Sequence, residues 1–273
     1  MELFSLKNKI IVITGACGLL GREHVKAVAS AGGIPVILDI KQNDIDLFVD
    51  DINKKYNVNC SGYCVNITVE EEIISNVRKV KDKYGKIDGL INNAANNPKL
   101  DNNKSVNFSR LENFSIDDWD SDIAVGLTGA FLCSKHYGFE ISKNINGGRI
   151  LNISSDLGMV APDQNLYKIQ GLDNSLQPVK PVTYSIVKTV IIGLTRYIAT
   201  YWADKNVTSN AICPGGVENN QNLDFVKELN KRIPLGRMAK RDEYQGVIIF
   251  LMGDSSSYLN GAIIPIDGGR TAW

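Results

Sequence analysis

Short runs of consecutive apolar residues alternate along the chain with longer segments in which apolar residues recur at helical spacing. The runs predict strands at residues 10–14, 34–39, 59–65, 87–92, 149–153, 207–213 and 262–266. The intervening segments predict a first helix that ends at Gly32 and Gly33, followed by helices at 44–56, 69–84, 115–143, 182–204 and 242–252. Strands that are apolar throughout are typical of a parallel sheet buried on both faces.

This alternation also predicts the fold class. Right-handed crossover connections place helices on both faces of such a sheet. We therefore predict an α/β protein with a single-domain, Rossmann-type, doubly wound parallel sheet. The 273 residues suit one domain spanning 1–273, and no repeat or linker divides them. One connection, at residues 156–181, is unusually long and polar, which predicts a substrate-loop insertion, although a surface insertion without function would have the same composition.

Composition excludes several classes of protein. The 30 Lys and Arg balance the 30 Asp and Glu, so charge indicates neither a nucleic-acid partner nor a membrane surface. No apolar run approaches the roughly 20 residues of a membrane span, and the N-terminal residues lack the layout of a signal peptide, so we expect a cytoplasmic protein. The five scattered cysteines predict reduced thiols, and no grouping of Cys and His predicts a metal site.

A glycine-rich turn follows the first predicted strand. Gly15, Gly18 and Gly21 allow a tight turn in which a pyrophosphate can approach the N–H groups at a helix N-terminus. Asp39 ends the second predicted strand, where a carboxylate can accept hydrogen bonds from both hydroxyls of an adenosine ribose. A 2′-phosphate would be repelled there, so we expect NAD as the cofactor in preference to NADP. A cap or turn role for Asp39 is the alternative.

Tyr184 and Lys188 lie four residues apart on the helix predicted at 182–204, which places them on one face. A phenol ionises near pH ~10, so we expect the ammonium of Lys188 to lower the pKa of Tyr184 and make it a usable base. Ser155 follows the strand predicted at 149–153. A second pair at the same spacing, Tyr201 and Lys205, falls at the helix end, where we expect a solvated terminus. The arrangement at Tyr184 suits proton transfer to or from a hydroxyl group.

Several ordered motifs resemble the short-chain dehydrogenase/reductase family over nearly the whole chain. They are the glycine turn, N-N-A-A at 92–95, the set of Ser155, Tyr184 and Lys188, P-G at 214–215, and I-D-G-G at 266–269. The resemblance implies an NAD(P)-dependent oxidoreductase that interconverts a secondary alcohol and a ketone, with those three residues as its catalytic Ser, Tyr and Lys. The motifs and the resemblance together predict these cofactor contacts: Gly15, Cys17, Gly18, Leu19, Leu20, Gly21, Asp39, Asn66, Ile67, Asn93, Ala94, Ala95, Tyr184, Lys188, Pro214, Gly215 and Val217.

The chain departs from the family pattern at several positions. The G-x-x-G-x-x-G spacing resembles the extended branch of sugar epimerases and dehydratases, but the chain is short and ends in the D-G-G element. Gly126 stands where many members place an active-site Asn, so a side chain that could hold a relay water is missing. Asn66 stands where an Asp often contacts adenine, and its amide can still pair with the adenine edge. The insertion separates Ser155 from Tyr184.

Three segments, at residues 92–99, 177–184 and 267–273, are similar to the PtmA-type oxidoreductases of flagellin glycosylation and nonulosonic-acid synthesis. The similarity implies a small polar substrate, a sugar or sugar derivative. Polar side chains that suit it are Asn96, Asn97, Lys99, Asp163, Gln164, Asn165, Lys168, Gln170 and Lys180.

Two other functions remain open at this point. One is an NAD-dependent epimerase or dehydratase without net redox change, and the other is a non-catalytic NAD-binding protein. The apolar residues of the helices near 115–143 and 182–204 predict a homodimer or homotetramer, because some of them exceed what the sheet can cover.

Overall fold

The computed structural model describes residues 2–96 and 109–273, and within them seven strands alternate with eight α-helices. The strands are β1 (Ile10–Thr14), β2 (Ile34–Asp39), β3 (Ser61–Cys64), β4 (Gly89–Asn92), β5 (Gly148–Ile153), β6 (Val207–Pro214) and β7 (Ile263–Ile266). The helices are α1 (Leu19–Ser30), α2 (Gln42–Tyr56), α3 (Glu70–Tyr84), α4 (Ile116–Ile123), α5 (Gly129–Ile141), α6 (Val182–Tyr201), α7 (Leu223–Asn230) and α8 (Gln245–Met252).

The strands form one parallel sheet in the order β3-β2-β1-β4-β5-β6-β7. β1 pairs with β2 on one side and with β4 on the other, so the chain builds one half of the sheet outward from β1 and then returns to build the other. The strand order reverses at this point. Open parallel sheets bind their ligands outside the carboxyl ends of the strands at such a reversal.

Side chains of β1 alternate between two apolar cores. Ile11 and Ile13 pack with α1, α2 and α8, whereas Ile10 and Val12 pack with α3, α5 and α6 on the opposite face. This alternation follows from the two-residue period of a strand. The predicted doubly wound α/β sheet with helices on both faces is therefore confirmed.

The helix predicted at 115–143 is present but not uniform. The hydroxyl of Ser115 caps it by accepting a hydrogen bond from the N–H of Asp118 at 3.0 Å. Between α4 and α5 the helix widens into a π-helical segment, Ala124–Thr128, centred on Gly126. Such a segment inserts an extra residue into a helical turn, and segments of this kind are frequent at functional sites. Periodicity alone does not predict it.

The sequence patterns also did not predict α7. Its eight residues give only two turns, and its apolar residues do not face the main sheet. Leu229 of α7 instead joins Leu166 from the insertion, together with Ile233 and Met238, in a separate small core. The insertion at 156–181 thus packs on α7, and it contains three short 3₁₀ turns: Asp156–Gly158, Gln164–Tyr167 and Asn174–Leu176.

By length and composition alone, α6 is apolar enough to cross a bilayer. It packs along β6, and its residues Val187, Ile191 and Ile198 are buried, as in the core helix of a sheet protein. α6 ends at Tyr201, three residues earlier than expected. Tyr201 is exposed there, and Lys205 pairs with the neighbouring Asp204, so the predicted solvated terminus is confirmed.

Candidate active site

A cleft of about 630 Å³ opens at the carboxyl ends of the strands, where the strand order reverses. The residues that follow β1, β2, β4, β5 and β6 contribute to its walls. Ser155, Tyr184 and Lys188 all line this one cleft. Every residue predicted to contact the cofactor also lines it, with the exception of Gly21.

The glycine turn is shaped by close backbone contacts. Gly15 has a φ of +59°, and a Cβ on it would lie 2.8 Å from Cα of Ala94. A Cβ on Gly21 would lie 2.1 Å from the carbonyl oxygen of Gly15. Gly21 therefore serves the packing of α1 against the turn and does not form the cleft wall. The first residues of α1 face the cleft, so their free N–H groups suit a pyrophosphate.

Asp39 is held in place at the end of β2. One carboxylate oxygen accepts a hydrogen bond from the N–H of Cys17 at 2.9 Å, and the other accepts one from the N–H of Ile40 at 2.8 Å. These bonds fix the carboxylate beside the glycine turn, in a position that fits an adenosine ribose. Asn66 uses its carbonyl oxygen to accept bonds from Thr68, which leaves its NH₂ group for the cleft.

The N-N-A-A element joins the ends of β4 and β1. The N–H groups of Asn93 and Ala94 donate to the hydroxyl of Thr14 at 3.0 and 3.1 Å, and the Asn93 amide donates to the carbonyl oxygens of Thr14 and Gly15. These bonds lock the glycine turn against the neighbouring strand, so the floor of the cleft is rigid.

Tyr184 and Lys188 come from α6, and Ser155 follows β5. Lys188 Nζ donates to the carbonyl oxygen of Ile153 at 2.8 Å and lies 6.0 Å from the centroid of the Tyr184 ring. The Ser154 hydroxyl donates to the Lys188 carbonyl oxygen at 2.6 Å, which ties α6 to the end of β5. The three predicted side chains are thereby brought to one end of the cleft.

The expected effect of Lys188 on Tyr184 is not found. Burial raises the pKa of Tyr184, the nearby Ser155 hydroxyl partly offsets the rise, and the charge of Asp156 adds to it. Lys188 is not among the groups that shift the pKa of Tyr184, and its Nζ donates to the carbonyl oxygen of Ile153. Burial, followed by the charge of Lys180, lowers the pKa of Lys188 to about 8. Burial therefore favours the protonated phenol of Tyr184 over its phenolate.

An ion pair that the sequence motifs do not predict lies beside the three predicted residues. Arg270 donates to Oδ2 of Asp156, and both side chains are almost fully buried. Oδ1 of Asp156 accepts from the Ser155 hydroxyl and from the N–H of Leu157, each at 2.8 Å. The partners are 114 residues apart in the chain, so no local pattern could have paired them. In the sequence, each of the two residues lies next to a motif: Asp156 follows Ser155, and Arg270 follows the D-G-G element.

Gly126 leaves no room for the side chain that it lacks. A Cβ there would lie 2.4 Å from Cγ1 of Val187. Beside it lies a cavity of about 30 Å³ whose polar walls include Asp122, Thr183 and Lys188. That volume is large enough for one water molecule. The Thr183 hydroxyl donates to Asp122 at 2.5 Å, so both walls carry groups that could hold such a water.

The polar residues proposed for substrate contact are spread out. Lys180 and Asn96 line the cleft. Asp163 pairs with Arg232 at 2.8 Å, Gln164 binds the backbone of Lys180, and Asn165 binds Asp163. Lys168 and Gln170 are exposed and do not line the cleft. Asn97 and Lys99 fall outside the described residues.

A rigid glycine turn, a fixed carboxylate at the end of β2, and a Ser, Tyr and Lys at the far end of one cleft define a dinucleotide-dependent oxidoreductase. Comparison with known proteins gives the family. Residues 9–168 match the model of the short chain dehydrogenases, and residues 174–271 match that of enoyl-(acyl carrier protein) reductase. The chain therefore belongs to the short chain dehydrogenase family, as its motifs predicted.

Relatives span nearly its whole length. NADP-dependent mannitol dehydrogenase of Hypocrea jecorina is 30% identical over 99% of this chain and 95% of its own. Post-translational flagellin modification protein A of Campylobacter coli is 26% identical over 97% of this chain and 98% of its own. The crystal structure of NAD⁺-bound xylitol dehydrogenase matches with a TM-score of 0.82 and 26% identity, covering 97% of this chain and 99% of that one. A nicotinamide cofactor is thus supported.

Proposed function

We propose that this protein is a cytoplasmic, NAD-preferring oxidoreductase that interconverts a secondary alcohol and a ketone on a sugar or sugar derivative. The observation that carries the proposal is the convergence of Ser155, Tyr184 and Lys188 at one end of a cleft whose other end holds Asp39. Relatives named for mannitol and xylitol support a polyhydroxylated substrate.

The nicotinamide cofactor, when bound, supplies the group that accepts or returns the hydride. In oxidation, the phenolate form of Tyr184 takes the proton of the substrate hydroxyl while the carbinol carbon loses a hydride to the cofactor, and a ketone forms. Ser155 donates a hydrogen bond to the same oxygen once it leaves Asp156, and so orients the substrate. Lys188 holds the nicotinamide ribose and, when charged, favours the phenolate form of Tyr184. Reduction reverses these steps.

The preference for NAD rests on Asp39. Its carboxylate is already fixed by two backbone N–H groups and still has lone pairs directed to the cleft. Ribose hydroxyls would donate to it, whereas a 2′-phosphate would be repelled. The nearby Lys41 also lines the cleft, and its positive charge would attract a 2′-phosphate.

The test is a panel of sugars, sugar alcohols and sugar acids, monitored for NADH and, in parallel, NADPH formation. Net formation of reduced cofactor with at least one polyhydroxylated alcohol is the expected result. Conversion of a sugar without net change in cofactor would favour an epimerase or dehydratase instead. Tight cofactor binding without turnover across the whole panel would favour a non-catalytic role.

We also propose that the protein forms a homodimer or homotetramer through α4–α5 and α6. Phe131 and Phe139 on α5 and Tyr197 on α6 are about half exposed or more, which supports an apolar contact surface. The mass of the particle in solution, measured by light scattering, tests this. A monomeric mass at micromolar concentration would contradict it.

A further inference from the structure

The side chain of Lys180 is a cation that has no ion-pair partner among the residues that the structure describes. Its Nζ lies 3.6 Å from the centroid of the Tyr184 ring, and it makes no hydrogen bond or ion pair with the part of the chain that the structure describes. Burial lowers the pKa of Lys180 to about 8, and the charge of Asp156 only partly opposes this. A partly buried ammonium that stacks on one ring is poorly compensated for its lost hydration.

Hydrogen bonds fix the backbone at Lys180 and at the residues just before it. Its backbone N–H donates to the side chain of Gln164 at 2.9 Å, and that of Val179 donates to the Ser109 hydroxyl at 3.1 Å. The Gln177 side chain makes three hydrogen bonds to the backbone of residues 169 and 172 of the same insertion. The insertion is therefore held at Lys180 and at the residues just before it, which keeps this lysine at the cleft.

Among the described residues, two carboxylates lie near Lys180, and both are already engaged. Asp122, which lines the same small cavity as Lys180, accepts a hydrogen bond from the Thr183 hydroxyl. Asp156 accepts from Arg270, from the Ser155 hydroxyl and from the N–H of Leu157. Lys188 is the other lysine at this end of the cleft. Its Nζ donates to the carbonyl oxygen of Ile153, and its positive charge repels that of Lys180. Among the described residues, three cations, Lys180, Lys188 and Arg270, thus face two carboxylates, Asp156 and Asp122, around Tyr184. A negative group carried in by a ligand would restore the balance.

We propose that Lys180 receives a carboxylate of the substrate, so that the enzyme acts on a hydroxy acid of the sugar type rather than on a neutral polyol. The inference rests on the proposed function, since it assumes that the substrate alcohol reaches Tyr184. Lys180 stands on the same ring whose hydroxyl exchanges the proton. The acid group therefore lies near the reacting carbon, on the adjacent carbon or the one after it, and not at the far end of a long substrate.

The test compares tartrate with threitol, which share a threo diol and differ in having carboxylates or hydroxymethyl groups at their ends. Binding of each to the protein in saturating NADH is measured by calorimetry. Tartrate should bind at least tenfold more tightly to the wild type. In Lys180→Met this ratio should fall roughly ten- to hundredfold, the effect of losing one charge-assisted hydrogen bond. Lys180→Arg should retain most of it.

Lys168→Met is the matched control, because Lys168 is an exposed lysine of the same insertion that does not line the cleft. Its ratio should equal that of the wild type. Equal binding of tartrate and threitol to the wild type overturns the inference, and this measurement does not depend on the folding of any variant. An equal ratio in Lys180→Met, or tighter Lys180-dependent binding of inorganic phosphate than of tartrate, also overturns it.

Failure of the inference and failure of the proposed function give different results. Turnover of neutral polyols, combined with tartrate binding that is indifferent to residue 180, removes the inference alone. Tartrate binding that depends on Lys180, in a protein that reduces no cofactor with any alcohol of the panel, removes the proposed function alone.

Discussion

Asp39→Asn should move cofactor preference from NAD toward NADP. The change keeps an oxygen that can accept the 2.9 Å hydrogen bond from the N–H of Cys17, so the glycine turn stays in place. It removes the negative charge at the end of β2. Alanine would be a poorer choice, because the N–H of Cys17 would lose its acceptor and both cofactors would suffer.

Two effects add up to the expected change in the ratio of the dissociation constants for the two cofactors. NAD loses hydrogen bonds from ribose hydroxyls to a carboxylate, which we put at about 1.5–3 kcal/mol in total after what Asn retains. NADP gains relief from repulsion, which for unit charges ~4 Å apart is about 1 kcal/mol in water and about 4 kcal/mol at an effective dielectric constant of ~20. Asp39 is partly exposed, so about 1 kcal/mol is the safer figure. Together these shift the ratio roughly fiftyfold or more.

Dissociation constants for NADH and NADPH, measured by cofactor fluorescence, need no known substrate and give this ratio directly. Asp46→Asn is the matched control, because Asp46 is exposed on α2, does not line the cleft, and its change alters the net charge equally. A shift below fivefold in Asp39→Asn, or an equal shift in the control, would refute the assigned contact. The first outcome would leave Asp39 as a residue that only shapes the turn.

Three other changes test separate parts of the structure. Tyr184→Phe should lower kcat about 10²–10⁴-fold, because it removes the proton acceptor. NADH binding, measured by fluorescence, should change less than tenfold. A kcat above a tenth of the wild-type value would contradict this. Gly126→Asn should lower the free energy of unfolding in urea by about 1–3 kcal/mol, because its Cβ would lie 2.4 Å from Val187, and Val187→Ala in the same chain should recover at least half. His24 is fully buried, which lowers its pKa from 6.5 to about 4, so the unfolded chain binds more protons between these values and stability falls as pH drops through them. His24→Phe should weaken that fall by up to about 3 kcal/mol, and parallel urea-unfolding curves against pH would contradict it.

Much of the fold could be predicted because its signals are local. Each strand is a short apolar run, and the parallel sheet follows from their alternation with helices. α7 could not be predicted in this way, because a two-turn helix that packs on an insertion has no sheet-facing stripe of its own. The π-helical segment at Gly126 depends on how closely the chain approaches Val187 of α6. The sequence of one segment alone does not predict such an approach between two helices.

The direction of the pKa of Tyr184 could not be predicted either. Spacing on a helix places Lys188 on the same face as Tyr184, but it does not predict the position of Nζ or the burial of the phenol. Nζ donates to the carbonyl oxygen of Ile153, on a different element. Burial then dominates and raises the pKa of the phenol. Spacing therefore predicts which groups meet, whereas their charge states depend on contacts between elements.

The two ends of the cleft differ in how much the sequence says about them. At the end of the cleft near Asp39, the lining residues come from turns that directly follow strands, so the sequence predicts Gly15, Asp39 and Asn93 one motif at a time. At the substrate end, the groups around Tyr184 come from chain segments far apart: Asp156, Lys180 and Arg270. Their charges act on one another only after folding. Motifs in the sequence therefore predict the lining of one end of the cleft, whereas the grouping of charges at the other end depends on contacts between distant segments.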